Sequence, residues 1–215
     1  MSKSILDKIL TEQLGMSRVL PHWVPKLLSE TQRVERVRVS RQLLRISKKE
    51  TRFFDRLVIG DETWLHFYEP KSSLQTSQWK RRHETTPIGP RAVASAGKRM
   101  ATVFWDTKEI IMSDWLPNKV TINTEYDVQV LKILCGAIKS KRRGKLSSHV
   151  LHQHDNSLAH TSRRTLVEIQ HLRLELLPHP PYSPDLAPSD YCLFSEMKRP
   201  LRSKLLSDLS ILSPL

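Results

Sequence analysis

RLVIGDETWLHFY, residues 56–68, is the stretch whose reading decides the fold. It is long, β-branched and aromatic, which is the composition of a strand. Gly60 and Asp61 place a carboxylate inside that strand. If the strand is regular, Glu62 points to the opposite face, so it is not counted with Asp61. Working outward, RMATVFWD (99–106) reads as a second strand that Thr107 and Lys108 turn into EIIMSDWL (109–116). QWKR (78–81) reads as a short strand, followed by a basic loop over 82–99. TEYDVQVLKILCGAI (124–138) and TSRRTLVEIQHL (161–172) carry helical patterns, and HVLHQHD (149–155) and LELLPHP (174–180) read as strands beside them. Strands come first as an antiparallel group and then alternate with helices. That order predicts an α/β fold, a mixed sheet flanked by helices.

Upstream of the sheet, SILDKILTEQL (4–14) has an amphipathic helical pattern that Gly15 stops. ETQRVERVRVSRQLLR (30–45) predicts a basic helix with Val34, Val37, Leu43 and Leu44 inward and its arginines outward. The chain has 215 residues, with 35 Lys and Arg against 22 Asp and Glu, a formal net charge of +13. That balance favours a polyanionic partner, most simply nucleic acid, with an anionic membrane surface as the alternative. No apolar run is long enough to span a bilayer, and MSKSILDKILTEQ lacks the apolar core of a signal peptide. Cys135 and Cys192 form no CxxC pair and read as reduced thiols of an intracellular protein.

Within this basic chain, a few acidic residues stand at strand ends. Asp61 is in the first strand, Asp155 closes a later one, and Asp185 and Asp190 follow the next. Phosphodiester chemistry uses such carboxylates to hold divalent ions at the reacting phosphate. Taken alone, an Asp beside a turn is more often structural. His149, His152, His154 and His160 raise the question of zinc, but no cysteine or clear fourth ligand completes a site. Ser183 lacks a nucleophile-elbow context. Trp64, Trp79, Trp105 and Trp115 read as core or sheet-edge residues, with base stacking the lesser alternative. KSKRRGK (139–145) puts Lys139, Lys141, Arg142, Arg143 and Lys145 just before the strand that delivers Asp155. It reads either as a phosphate-tracking loop or as a solvated one.

Three blocks make the acidic set specific. GDETW (60–64), HDNSLAHTS (154–162) and HPPYSPDLAPSDYCLF (179–194) strongly resemble the signature blocks of mariner-family transposases, in the Tc1/mariner superfamily. WVP (Trp23, Val24, Pro25) and SAGKRMATVFWD (95–106) extend the resemblance. That family has an RNase H-like catalytic domain with an Asp-Asp-Asp triad and thirty-four residues between the second and third aspartates. Thirty-four residues lie between Asp155 and Asp190, and twenty-nine between Asp155 and Asp185. The resemblance therefore implies Asp61, Asp155 and Asp190 as catalytic metal ligands, with Mg²⁺ the expected ion and Mn²⁺ a substitute. Asp185 is left as a turn residue that caps local backbone, and Ser189 as the N-cap of a helix opening at Asp190.

The resemblance also implies cleavage of double-stranded DNA at terminal inverted repeats, joining to a TA target, a homodimer linked through Trp23, Val24 and Pro25, and a nuclear location. Asn156 and His160 match a DN…H block; they orient Asp155, approach DNA, or simply bond the loop. Arg81 and Arg82 belong to a loop that in the family helps hold the partner subunit and the transposon end. Residues 1–22 are expected to be the remnant of a second helix-turn-helix module, 23–50 a WVP linker and basic helix, and 51–215 a C-terminally incomplete catalytic domain. His152 and Gln153 interrupt an expected apolar run, and Pro200 falls where a helix should continue. These departures imply a fragment or degenerate copy, and leave a non-catalytic DNA-binding remnant as the alternative function.

Overall fold

The computed structural model describes Ile5 and residues 8–16, 26–68, 70, 93–118 and 120–201. Trp23, Val24, Pro25, Trp79, Arg81, Arg82 and the strand expected at 78–81 lie outside the described residues. Among the described residues five strands form one sheet in the order β3-β2-β1-β4-β5. They are β1 (Leu57–His66), β2 (Lys98–Trp105), β3 (Ile110–Trp115), β4 (Leu151–Gln153) and β5 (Glu175–Leu176). β1, β2 and β3 are antiparallel neighbours, whereas β4 joins β1 and β5 joins β4 in parallel. This is the mixed sheet expected from the order of the elements. β5 is shorter than expected because the prolines from Pro178 onward donate no ladder hydrogen bonds.

Both faces of β1 are covered, and its side chains divide between them. Val58 enters a core built with Val130, Leu131, Leu134 and Ile138 of α3 (Thr124–Lys141) and Ile169 of α4 (Arg163–His171). Leu57 and Ile59 enter a second core with Phe53, Leu151 and Leu177. Phe53 begins the one-turn helix α2 (Phe53–Arg56), which feeds the chain directly into β1. The central strand therefore buries Leu57 to Gly60 without a break, then alternates as it leaves the covered region.

Helix α1 (Glu30–Lys49) begins at a reciprocal cap. Gln32 N–H donates to Ser29 Oγ at 3.3 Å, and Ser29 N–H donates to Gln32 Oε1 at 3.0 Å. Its packing corrects the expected inner face. Val34, Val37 and Leu44 are 62%, 48% and 58% exposed, whereas Val39 is 2% exposed. Val39, Leu43 and Ile46, four and three residues apart, form the stripe toward the sheet. Arg36 shares that side and turns inward to a carboxylate, so apolar character alone misled the assignment.

Candidate active site

β1 and β4 run in parallel with Ile59 opposite Gln153, so Asp61, two residues further along β1, neighbours Asp155, two residues past the end of β4. Asp61 points to the face of Leu57 and Ile59. Gly60 before it is required by packing, since a Cβ there would come within 2.4 Å of the Phe104 ring. Asp190 arrives on a π-helical turn, Ser189–Leu193, which runs into α5 (Phe194–Lys198). Phe194 anchors that turn against Ala101 and Val103 of β2, on the same face of the sheet. α-Helical bonding ends at Lys198, and Pro200 lies in the following 3-10 turn.

Asp61, Asp155 and Asp190 line one cleft of about 670 Å³, together with Gln32 of α1, Asn156, His179 and the prolines from Pro180 to Pro184. Burial and the charge of Asp190 push the Asp61 carboxyl up to about 7, with Glu62 and Asp155 adding to the effect. Burial and the charge of Asp155 also raise Asp190. Asp61 Oδ1 accepts the Glu62 N–H at 2.8 Å, and Asp155 Oδ1 accepts the Ser157 N–H at 2.8 Å. The cleft wall includes Tyr182, whose φ of 52° is in the left-handed region and whose ring lies 4.4 Å from the Lys26 ammonium.

The donor set is suited to a hard divalent cation. Its acids are three carboxylates, two of which, Asp61 and Asp190, are raised by burial and by neighbouring negative charge, and a cation would relieve that repulsion. Among the described residues no three His, Cys, Asp or Glu side chains form a ready-made metal cage.

The flanking residues take definite places. The Asn156 amide donates to the His179 carbonyl at 2.6 Å, tying the Asp155 loop to the proline loop across the cleft. His160 is buried, with Nδ1 3.1 Å from Asp127 Oδ1, Nε2 3.2 Å from Glu62 Oε2, and Nε2 3.8 Å from Asp155 Oδ1. Burial alone would lower its pKa, but hydrogen bonds to Asp127 and Glu62 outweigh it and push the imidazole up to about 10. Asp127 was missed from the sequence. Its signal was an acid on the stripe it shares with Leu131 and Leu134, where an apolar residue is expected. Asp127 Oδ2 and His154 Nε2 have no hydrogen-bond partner, and both side chains line a cavity of about 10 Å³.

His152 and Gln153, the polar interruptions of β4, are both buried. The Gln153 amide donates to the Leu186 carbonyl at 3.0 Å, and His152 Nδ1 lies 3.4 Å from the Val58 carbonyl. One expectation on the third block is corrected, and Asp185, which does sit in a turn at Pro184–Leu186, gains a long-range partner. Ser189 is not a helix cap: its buried hydroxyl accepts the Trp105 indole N–H at 3.0 Å. Asp185 reaches across to α1, where it binds the Arg36 guanidinium through both oxygens.

The cations of residues 139–145 divide as well. Arg142 donates to Asp106 at 2.9 Å and Lys145 at 2.8 Å, with Asp106 1% exposed, so these two are structural cations rather than free ones. Burial would raise the Asp106 carboxyl, but Arg142 and Lys145 hold it far below the usual carboxylate range. Lys139, Lys141 and Arg143 remain exposed. Lys141 and Arg143 line a separate cleft of about 530 Å³ with Arg52, Arg56 and Lys108.

Comparison with known proteins decides the family. Residues 69–148 match the transposase family described as a partial DDE domain. The chain is 35% identical over 193 residues to the mariner Mos1 transposase of Drosophila mauritiana, covering 86% of this chain and 53% of that protein. It is 31% identical over 199 residues to the human histone-lysine N-methyltransferase SETMAR, covering 90% of this chain and 28% of that one. The crystal structure of the Mos1 catalytic domain superposes with a TM-score of 0.70 at 31% identity, covering 89% of this chain and 82% of that one. This chain belongs to the mariner family of transposases. Its mixed sheet with flanking helices is the RNase H-like fold of that catalytic domain. The Mos1 mariner paired-end complex with Mn matches with a TM-score of 0.83 at 30% identity, covering 100% of this mariner-family chain and 62% of the Mos1 chain. The chain thus spans about half the length of the Mos1 transposase it matches.

Proposed function

We propose that this chain carries the catalytic function of a mariner-type transposase: divalent-metal-dependent cleavage of DNA at transposon ends and transfer of the cut strand. The observation that carries this reading is the gathering of Asp61, Asp155 and Asp190 in one cleft from three separated blocks of sequence. Relatedness to Mos1, whose paired-end complexes are described with Mn and with Mg, supports it. Asp61, Asp155 and Asp190 would hold Mg²⁺ or Mn²⁺. When bound, such ions stabilise charge on the attacking and leaving oxygens of a phosphodiester.

The chain's own residues prepare that chemistry. β1 carries one carboxylate, Asp61, and the turn at Ser189 another, Asp190. Asn156 ties the loop of the third to the proline wall, and exposed Lys139, Lys141 and Arg143 offer phosphate contacts without sequence preference. Double-stranded DNA in the nucleus is the proposed substrate, terminal inverted repeats and a TA target its proposed sites, and a homodimer the proposed assembly. Residues 51–215 are the proposed catalytic unit, 23–50 the linker and basic helix, and 1–22 a helical DNA-binding remnant. Nicking of supercoiled plasmid DNA in Mg²⁺ or Mn²⁺ tests the reading: Asp155→Ala should lose at least about a hundredfold in rate. Equal nicking by both proteins would sink it. Salt-sensitive DNA binding with no nicking by the wild type would instead favour a non-catalytic DNA-binding remnant.

A further inference from the structure

We propose that Asp127, His160 and Glu62 form a buried ionic strut that positions Asp155 for metal binding. The inference rests on the reading of Asp155 as a metal ligand. The three residues come from α3, the loop after β4, and β1, elements that share no local sequence. His160 Nδ1 meets Asp127 at 3.1 Å and Nε2 meets Glu62 at 3.2 Å. Each ring nitrogen faces a carboxylate oxygen within hydrogen-bonding distance, so the ring cannot rotate without losing both contacts.

Asp155 lies beside that ring, at the start of the loop that His160 ends. The loop between them is tightly wound: Ser157 N–H donates to Asp155 Oδ1 at 2.8 Å, and Thr161 N–H donates to the Ser157 carbonyl at 3.1 Å. His160 ends the loop, with Nε2 3.8 Å from Asp155 Oδ1, within reach of an ion pair rather than a hydrogen bond. The Asp155 side chain is 49% exposed, so packing does little to hold it; His160, 8% exposed, is the fixed group beside it. Glu62 is the residue next to Asp61 on β1, so the same ring also contacts the strand that carries Asp61.

The strut is costly as a stabilising device. Three ionic groups are withdrawn from water, and one Asp127 oxygen has no hydrogen-bond partner. Well-packed apolar residues commonly stabilise such a site as well or better. What the ionic arrangement supplies, and apolar contacts do not, is direction. Asp127, Glu62 and His160 are therefore positioning residues, acting through Asp155 rather than on the DNA.

Mn²⁺ titration of the full chain, followed by electron paramagnetic resonance of the free ion, tests this without relying on turnover. Asp127→Asn and Glu62→Gln keep side-chain volume, and His160→Ala removes the ring. Each should weaken Mn²⁺ binding about tenfold or more, with circular dichroism showing a folded chain. Asp106→Asn, a destabilised variant remote from the strut, should bind Mn²⁺ like wild type. His160→Gln, which retains one donor, should recover part of the affinity lost in His160→Ala. Wild-type affinity in folded Asp127→Asn and Glu62→Gln would overturn the strut, as would an equal loss in Asp106→Asn. Asp155→Ala separates the two levels. If it binds Mn²⁺ like wild type, the metal-ligand reading falls and the strut with it. If it alone loses affinity, only the strut falls.

Discussion

Arg36 and Asp185, 149 residues apart in sequence, form a two-pronged ion pair that ties the proline-rich loop to helix α1. The Arg36 Nη1–Asp185 Oδ1 distance is 2.8 Å. The arginine holds the Asp185 carboxyl below its ordinary value. An acid committed to a guanidinium is poorly placed to hold a metal, which separates Asp185 from Asp190. Asp185→Asn should keep metal-dependent nicking within about threefold of wild type, because a partly exposed pair contributes roughly 0–1 kcal/mol. Asp190→Asn should lose at least about a hundredfold. Nicking rates in Mn²⁺ decide between them, and the reverse ranking would reassign the ligand.

Gly60 is the point where β1 passes beneath the Phe104 ring. A Cβ at residue 60 would lie 2.4 Å from Phe104 Cε1 and 3.3 Å from His152 Cε1. The buried Phe104 has little room to retreat. Gly60→Ala should destabilise the chain by roughly 1–3 kcal/mol, and adding Phe104→Leu should return part of it. Urea midpoints of the single and double variants measure this; an unchanged midpoint for Gly60→Ala would show that the ring moves freely.

Asp106 closes the far end of β2 by accepting from Arg142 and Lys145, while Lys145 also donates to the Leu57 carbonyl at 3.1 Å. Asp106→Asn keeps the side-chain oxygen that receives the Lys108 and Glu109 amides but leaves Lys145 without its counter-charge and Arg142 with Glu109 alone. The expected loss is about 3–5 kcal/mol, read by denaturant unfolding at neutral pH. A loss below 1 kcal/mol would mean that the two cations find water instead.

His152 makes folding sensitive to acid. Burial holds its imidazole down to about 3, and repulsion from His154 and His160 adds to this; the Val58 carbonyl and Asp127 act in the opposite direction. Its folded pKa lies below its unfolded value of 6.5, so the unfolded chain takes up the proton first. The stability linked to neutral His152 is complete above pH 6.5 and is lost as pH falls toward 3. Between pH 6.5 and 5 this amounts to roughly 1–2 kcal/mol. Denaturant melts across that window should show a shallower decline for His152→Leu than for wild type; parallel declines would remove His152 as the source.

The antiparallel group and its turn at Thr107 and Lys108 were legible because strand period and turn chemistry are local. Helices α3 and α4 were legible because their apolar stripes repeat within one element. The inner face of α1 was not, because Val34, Val37 and Leu44 are as apolar as the Val39, Leu43 and Ile46 stripe that packs. Packing of Leu43 and Ile46 on the core of Phe53, Leu57 and Leu177, with Arg36 against Asp185, selects which side turns inward. Residues 139–145 failed for a similar reason: a run of cations carries no sign of the buried Asp106 that engages two of them.

The sequence by itself determined the family blocks, the mixed sheet and the spacing that favours Asp190 over Asp185, since these depend on residue order and local pattern. The tertiary structure alone decided what each polar side chain meets. Asp127 joins His160 and Glu62, Ser189 receives Trp105, and Asp106 receives Arg142 and Lys145. A buried polar group is defined by a partner with no fixed sequence offset, and only packing the sheet against its helices brings such partners within hydrogen-bonding distance.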